Sequence, residues 1–583
     1  MRKRPIRLQD SFKTYTYDQD KTCPPTDTLV RFREALARVD LDILREVRRI
    51  DSGRLDIPVY FSVCGADARR IIGTKKQMGK GSTPEQSQAS ACMELAERFS
   101  FFAFKKSPGN FMVATYPQLQ AQGLPVMELS FLLQSVHDTT TDLALLERIL
   151  ADIPIQWTWA TNLSRQEEVL VPWSWFYAIN EFNGPCAGNS VEEAILQGIC
   201  EVVERHVSAV VSHDRIHTPA IDLASVTDPV CRELILKFTR HGILLYLNDF
   251  SLDTGIPTVG ALAIDPATFP AKSEIVFTAG TTPSPTKALV RALTEVAQLA
   301  GDFDTEANYV ASGLPKPASL DEVRYITEPA GSIRLDAMAD ASNANMRLEV
   351  ENCLAALGRI GLEVFLVDVQ HDALGIPAFY TIIPGCHFRE RSRASDAGLF
   401  AAKLLAEQDL PMDEQNRRLE RLGEALPRSY YVQFYLGRNH LSAGEPQEAL
   451  DHFERALALS PQAEDLPYIY SYMGHCHKDL GDYRGAIAVL RQAERLDAER
   501  EDLYNLMGFC HFKLKEHETA IANFQRAIQL NPSSAIDYAN LGANYRELGR
   551  TDEAVRFFQL ALDLDPSIEF ARTGLAALGA SQP

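Results

Sequence analysis

Two stretches of the chain repeat one polar pattern at helical spacing. In the first, Gln86, Ser90, Glu94 and Glu97 stand at i, i+4, i+8 and i+11, and Arg98 follows Glu97. In the second, 107 residues on, Glu193, Gln197, Glu201 and Glu204 keep that spacing and Arg205 closes it. Residues so spaced stack on one helix face, where like charges repel. One acidic stripe reads as a solvated surface; two copies of E-x-x-E-R read as a paired site. A third stretch puts Lys287, Arg291, Glu295 and Gln298 on one face. The three could bring together five carboxylates, Glu94, Glu97, Glu201, Glu204 and Glu295, with Arg98, Arg205, Arg291 and Lys80 nearby. Such a set is costly unless cations enter it. Mg²⁺ takes oxygen ligands and bridges carboxylates to nucleotide phosphates, while arginine and lysine suit phosphate oxygens. The chemistry that fits is phosphoryl transfer, which is mostly positioning and charge neutralisation.

Two other chemistries fit less well. A di-iron carboxylate bundle needs Glu-x-x-His, whereas both motifs end in Glu-Arg. His206 is one residue off and faces the apolar side, as a packed core residue would. No G-x-x-x-x-G-K-[ST] occurs, and Gly79-Lys80-Gly81 alone is a weak phosphate signal.

The elements that must hold these residues share a template. Gly81 and Gly188 each lie thirteen residues before the first Glu of E-x-x-E-R. Thr83 and Ser190 are N-caps; Pro84 suits a first helical position, and Glu193 completes a capping box after Ser190. A strand over 274–279 runs through Gly280 and Pro285 into the third helix. Further strands are expected at 57–63, 156–162, 169–179, 243–250, 257–265, 362–367 and 377–384. Helices are expected over 27–50 and 396–407.

From about Tyr430 a repeat appears. Gly437, Gly474, Gly508 and Gly542 are each followed twelve residues later by Ala449, Ala486, Ala520 and Ala554. Phe453, Leu490, Phe524 and Phe558 come four residues after those, and Pro461, Pro532 and Pro566 close three units. The pattern resembles the tetratricopeptide repeat, four units with 568–578 as a capping helix. Such arrays bind peptides in a groove, and short ones also dimerise or buttress a neighbour, so peptide recruitment and a homodimer both stay open.

At 583 residues the chain needs two to four domains. A net charge of −20 argues against nucleic acid and anionic membrane as partners, and makes any anionic ligand depend on a local basic patch or on cations. No apolar run reaches membrane-spanning length and no signal peptide is read, so a cytoplasmic location is expected. Ten scattered cysteines without a C-x-x-C pair point to reduced thiols and away from zinc or iron–sulfur sites.

The motifs together resemble the YcaO family. S-x-x-x-E-x-x-E-R stands as Ser90, Glu94, Glu97, Arg98. A second block is met loosely over 189–193 and well by Gln197, Glu201, Glu204 and Arg205. R-A-L-T-E-x-x-Q stands as 291–298. A YcaO domain followed by helical repeats is similar to stand-alone members that act as accessory factors of ribosomal protein S12 methylthiotransferase. The resemblance implies an α+β domain of mixed sheets and helices, followed by an all-α tetratricopeptide solenoid. Its boundaries would be an N-terminal segment at 1–55, the YcaO-like ATP-binding domain at 56–395, a helical linker at 396–429 and the repeats with their cap at 430–583. It implies ATP and Mg²⁺ as cofactors, with Glu94, Glu97, Glu201, Glu204 and Glu295 as metal ligands. Lys80, Ser90, Arg98, Gln197, Arg205, Arg291 and Gln298 would serve the nucleotide, as would Lys21, less firmly.

The implied activity is ATP-dependent activation of a backbone amide in a peptide or protein, leading to a thioamide or assisting sulfur insertion. Azoline-forming members end in a Pro-rich tail, which 580–583 lacks. Azoline-forming cyclodehydration, and an ATP-binding scaffold without catalysis, are the alternatives. A methylthiotransferase or TfuA-like protein is the implied partner, and no catalytic base is assigned.

Overall fold

A computed structural model describes residues 4–73, 77–181, 183–303, 317–388, 396–531 and 534–579, the side chain of Asp302 excepted. It divides into two compact units, Met1–Leu143 with Pro154–Arg393, and Ala144–Ile153 with Ala394–Pro583.

The first unit contains three sheets. A three-stranded antiparallel sheet runs in the order Leu44–Arg49, Val59–Cys64, Met78–Lys80. A second sheet has Met112–Ala114 at one edge and Pro185–Ala187 at the other. The third runs from Val276–Thr281 through Thr258–Ile264 and Leu244–Asp249 to a short parallel pair, Ala220–Asp222 with Ser332–Arg334. Each sheet feeds one long helix from an edge strand. Met78–Lys80 leads into the helix Pro84–Lys106, Pro185–Ala187 into Val191–Asp214, and Val276–Thr281 into Pro285–Ala300.

The strand Thr258–Ile264 is buried along its length and alternates between two cores. Leu262 and Ile264 face the cluster built on Ile199, Val203 and Val207 of the second helix. Val259, Ala261 and Ala263 face that of Leu289, Leu293 and Val296 on the third. The period of two thus clamps the two helices on opposite faces of one sheet.

The strand–helix junctions explain the glycines. A Cβ on Gly79 would lie 2.1 Å from Ser87 O and 2.2 Å from Ala91 N; one on Gly280 would lie 2.6 Å from Ala288 O and 2.4 Å from Ala292 N. The offsets of eight and twelve residues are identical. In the second junction the small residue has moved to the helix, where a Cβ on Gly198 would lie 2.7 Å from Cys186 Sγ.

Two sequence expectations are corrected. The helix expected over 27–50 is the shorter Pro25–Ala37, followed by the strand Leu44–Arg49. Phe32 and Ala35 carry its buried face, but beyond it pairing with Val59–Cys64, invisible to local periodicity, takes over. The strand expected over 169–179 stops at Pro172, and Trp173–Asn180 is a helix burying Trp173, Phe176 and Asn180. An unbroken apolar run does not distinguish the two by period.

In the second unit the four helical hairpins of the repeats begin at Tyr430, Leu466, Glu501 and Ala535, and Glu569–Ala577 follows as the ninth helix of that array. Pro532 and 580–583 lie outside the described residues. The segment 396–429 forms helices Ala397–Ala406 and Met412–Ala425 within this unit. Each repeat glycine sits under the large residue sixteen positions on: a Cβ would lie 2.9 Å from Phe453 at Gly437, 2.6 Å from Leu490 at Gly474, 2.8 Å from Phe524 at Gly508 and 2.7 Å from Phe558 at Gly542. All ten cysteines are free thiols, and all but Cys64 are buried. No helix among the described residues is long and apolar enough to cross a membrane.

Two outcomes follow for the repeats. Gly508→Ala should destabilise the unit, because overpacking of about 1–3 kcal/mol outweighs a helix-propensity gain of about 1 kcal/mol; a fall in Tm checks it. Burial, then the neighbouring His440 and Arg455, pushes His452 down to about 4, against the opposing pull of Asp451. His452 is therefore neutral when folded, while the unfolded chain protonates near pH ~6.5. Its contribution is intact above that pH and is lost as pH falls towards 4. Denaturant titrations across this window should show a slope that His452→Gln flattens.

Candidate functional site

The three long helices, the strands Met78–Lys80 and Pro185–Ala187 and the N-terminal segment around 19–23 line a cavity of about 320 Å³. All thirteen residues singled out from sequence line it, Lys21 and Lys80 from extended segments and the other eleven from the helices. The local reason is a threefold template. Counting fifteen residues from Gly79, Cys186 and Gly280 reaches Glu94, Glu201 and Glu295; three more reach Glu97, Glu204 and Gln298. Each strand is held close on its helix by a small residue, so equivalent helical positions present polar groups to the shared space. Thr83 Oγ1 accepts from Gln86 N at 3.2 Å and Ser190 Oγ from Glu193 N at 3.2 Å, so both N-caps form as expected.

Each of the five carboxylates has a basic partner. Arg98 lies 3.8 Å from Glu94 and 3.5 Å from Glu97, and Arg205 4.0 Å from Glu201. Arg291 Nε donates to Glu204 Oε2 at 3.0 Å, and Lys80 pairs with Glu295. Further contacts join different elements: Arg291 also donates to Gln197 Oε1 of the second helix at 3.2 Å, and Gln298 Nε2 donates to Met78 O of the strand before the first helix at 3.3 Å. Backbone donors complete the set, Met78 N to Glu94 at 3.0 Å and Thr281 N to Glu204 at 3.0 Å. Among the described residues no three His, Cys, Asp or Glu groups converge as metal ligands. The basic side chains hold the carboxylates apart, as like charges in a buried site require.

The electrostatics show strain of both signs. Burial pushes Glu94 upward, and it pushes Glu97 well above the carboxylate range with Glu201 and Glu94 adding to it, Arg98 opposing. Burial, followed by Arg291, pushes Lys80 down to about 7. Burial works against the charge of Arg98, yet Glu97 and Glu94 hold it above the ordinary value. Arg205 Nε is buried without a hydrogen-bond partner. Six acidic and five basic side chains line the cavity, so it is close to neutral.

Sequence reasoning missed most of the strap 9–23, of which it picked only Lys21. Gln9 N donates to Glu192 at 2.8 Å, Thr22 N and Oγ1 donate to Glu193 at 2.9 and 2.7 Å, and Lys21 lies 3.7 Å from Glu193. Ser82 Oγ donates to Asp18 at 2.6 Å, and Lys287 Nζ donates to the carbonyls of Thr16 and Tyr17 at 2.7 Å. The strap therefore crosses the N-terminal ends of all three helices. Its Gln19 and Cys23 reach the cavity, as does Asn189 before the second helix. These single polar residues carry no periodicity. Glu193 lines the cavity but is occupied by the strap and by Asn189, whose Nδ2 donates at 2.9 Å. His206 is not simply packed: it is half-buried, accepts from His387 N at 3.0 Å and stacks on the His387 ring at 5.5 Å.

Comparison with known proteins agrees with this geometry. Residues 78–387 match the family described as YcaO cyclodehydratase, ATP- and Mg²⁺-binding, and residues 430–463 and 499–567 match tetratricopeptide repeats. A protein of the tfuA 3′ region of Rhizobium leguminosarum bv. trifolii is 27% identical over 392 residues, 63% of this chain and 88% of its own length. The ribosomal protein S12 methylthiotransferase accessory factor YcaO of Escherichia coli is 24% identical over 408 residues, 64% of this chain and 66% of its own. The structure of YcaO from Methanopyrus kandleri bound with AMPPCP and Mg²⁺ superposes with a TM-score of 0.51 at 23% identity, covering 66% of this chain and 98% of that one. A site built from three strand–helix junctions, matched over more than half of its length, places this chain in the YcaO family of ATP- and Mg²⁺-binding, cyclodehydratase-type proteins.

Proposed function

We propose that the chain uses Mg²⁺ and ATP to activate a backbone amide in a peptide or protein substrate, with sulfur as the incoming atom, so that a thioamide forms or sulfur insertion is assisted. The observation that carries the reading is the cavity in which five carboxylates of three helices each meet a basic side chain. Mg²⁺-bound ATP supplies the phosphoryl group that makes an amide oxygen a leaving group. The donor set fits that ligand: Glu94, Glu97, Glu201, Glu204 and Glu295 would hold the cations. The basic groups they release, Lys80, Arg98, Arg205 and Arg291, with Lys21 from the strap, would hold the phosphates. A near-neutral cavity favours a polyanion only together with its cations. Ser90, Gln197 and Gln298 supply neutral hydrogen bonds that orient the bound groups. The unpartnered Arg205 Nε is a donor already in place.

The relatives support the sulfur branch in two ways: one lies in a tfuA region and another is named for a methylthiotransferase. A TfuA-like or methylthiotransferase partner, and a protein substrate gathered by the repeats, belong to the same proposal. The family description favours a second reading, azoline formation by a Cys, Ser or Thr side chain.

Thermal unfolding with Mg·ATP tests the site. At 100 times Kd the ligand should stabilise the wild type by roughly 2.7 kcal/mol. Glu201→Gln and Arg205→Ala should each remove most of that shift without lowering the unliganded Tm, since neither breaks a short buried pair. No shift in the wild type would overturn the reading. Mass spectrometry of the proteome with and without the gene separates the branches: a lost sulfur-for-oxygen difference indicates thioamidation and a lost dehydration indicates azoline formation. ATP binding with neither change would indicate a scaffold.

A further inference from the structure

The first site helix borders a second cavity. It presents Ser90, Glu94 and Glu97 to the first; Ser100, three residues beyond Glu97, lines another of about 530 Å³. The polar part of its wall includes Trp159 of the strand Ile155–Asn162, Asp368, His371 and Asp372 at and after the strand Phe365–Asp368, and Arg4.

The chemistry of this wall is one-sided. Ser100 is 1% exposed and its Oγ has no hydrogen-bond partner; the buried Nδ1 of His371 has none either. Burial lowers the His371 pKa, so the ring is neutral and brings no positive charge. Asp368 is raised by burial even though Gln370 N donates to it at 2.9 Å, a carboxylate short of cation. The charge opposite it is Arg4, whose guanidinium lies 3.6 Å from Asp368 and pairs with Asp372. Arg4 is also about a third exposed, so solvent screens the pair and a competitor can displace it. The acidic corner therefore already holds a guanidinium, supplied by the chain itself.

We propose that this second cavity is a subsite for a guanidinium-bearing side chain of the peptide substrate, with Arg4 seated in its acidic corner until that side chain arrives. The inference rests on the reading of the protein as a peptide-modifying one and specifies the substrate's chemistry. A guanidinium brings five N–H donors, which suits two carboxylates and the unused capacity of Ser100 and His371. Ser100 of the subsite lies one helical turn along the same helix from Glu97 of the first cavity, so one helix borders both.

Trp159 provides the readout, since Trp157, Trp173 and Trp175 are fully buried and Trp159 is not. Titrating the full chain, without nucleotide, with N-acetyl-Gly-Arg-Gly-amide should give a saturable fluorescence change that Trp159→Phe abolishes. The citrulline counterpart, isosteric and uncharged, should bind about tenfold more weakly or not at all, as should the arginine peptide to Asp368→Asn. Arg4→Ala should tighten binding several-fold by removing the competitor. No saturable change, or equal binding of the citrulline peptide to the wild type, overturns the proposal whatever the variants do. Because the peptide is read without nucleotide and Mg·ATP without peptide, loss of the first with the second intact sinks only the subsite. The reverse sinks only the nucleotide reading.

Discussion

Buried charge is the constraint on which the first unit turns. Three helices bring carboxylates into a space where desolvation opposes ionisation, as the raised Glu94 and Glu97 show. The helices can approach because each carboxylate meets a basic side chain, in two cases from a different segment: Arg291 of the third helix on Glu204 of the second, and Lys80 of the strand Met78–Lys80 on Glu295 of the third helix. Such pairs add little net stability, since desolvation consumes most of the Coulomb gain. What the two pairs between segments fix is arrangement: removing one partner strands the other, so the helices are held in the register that keeps both pairs. A set of ion pairs that is strained on both sides is also one that a ligand carrying both signs can replace at little cost.

The pairs could not meet without the junctions beneath them. Strand and helix touch through Gly79 and Ala91, through Gly280 and Ala292, and through Cys186 and Gly198, at one fixed offset. A side chain at both members of a pair would push the helix away, and the error would grow towards the residues fifteen positions along the chain where the charges lie. The interchange of small residue between strand and helix in the second junction shows that the distance, not the glycine, is what must be kept.

This division explains what was legible in the sequence. The cavity-facing positions recur at helical spacing with the same residue types, and the glycine–large pairs of the repeats recur because one fills the space the other leaves. Both signals are local and periodic, so the eleven helical residues of the site and the repeat unit could be found without coordinates, whereas Lys21 and Lys80 came from the family resemblance and a lone Gly-Lys-Gly. The fold's connections were less readable. Leu44–Arg49 is a strand because Val59–Cys64 lies beside it, and Trp173–Asn180 is a helix because tertiary burial chooses between two readings of one apolar run. His206 faces a histidine more than 180 residues away in sequence. Nothing in a local window encodes those neighbours.

The strap 9–23 is the instructive failure, because it is polar, aperiodic and yet ordered by the site helices themselves. A helix N-terminus leaves backbone donors and a positive end without intrahelical partners. Three such ends side by side also present polar side chains that an extended segment can meet: Asp18 accepts from Ser82, Thr22 donates to Glu193, and the carbonyls of Thr16 and Tyr17 accept from Lys287. The strap therefore needs no pattern of its own; its partners are dictated by the template it crosses. By lying there it also brings Gln19, Lys21 and Cys23 into the cavity wall. The groups that the strap and the helices give to the cavity are thus consequences of the same three helix starts, one set read from periodicity and the other only from the space those helices leave.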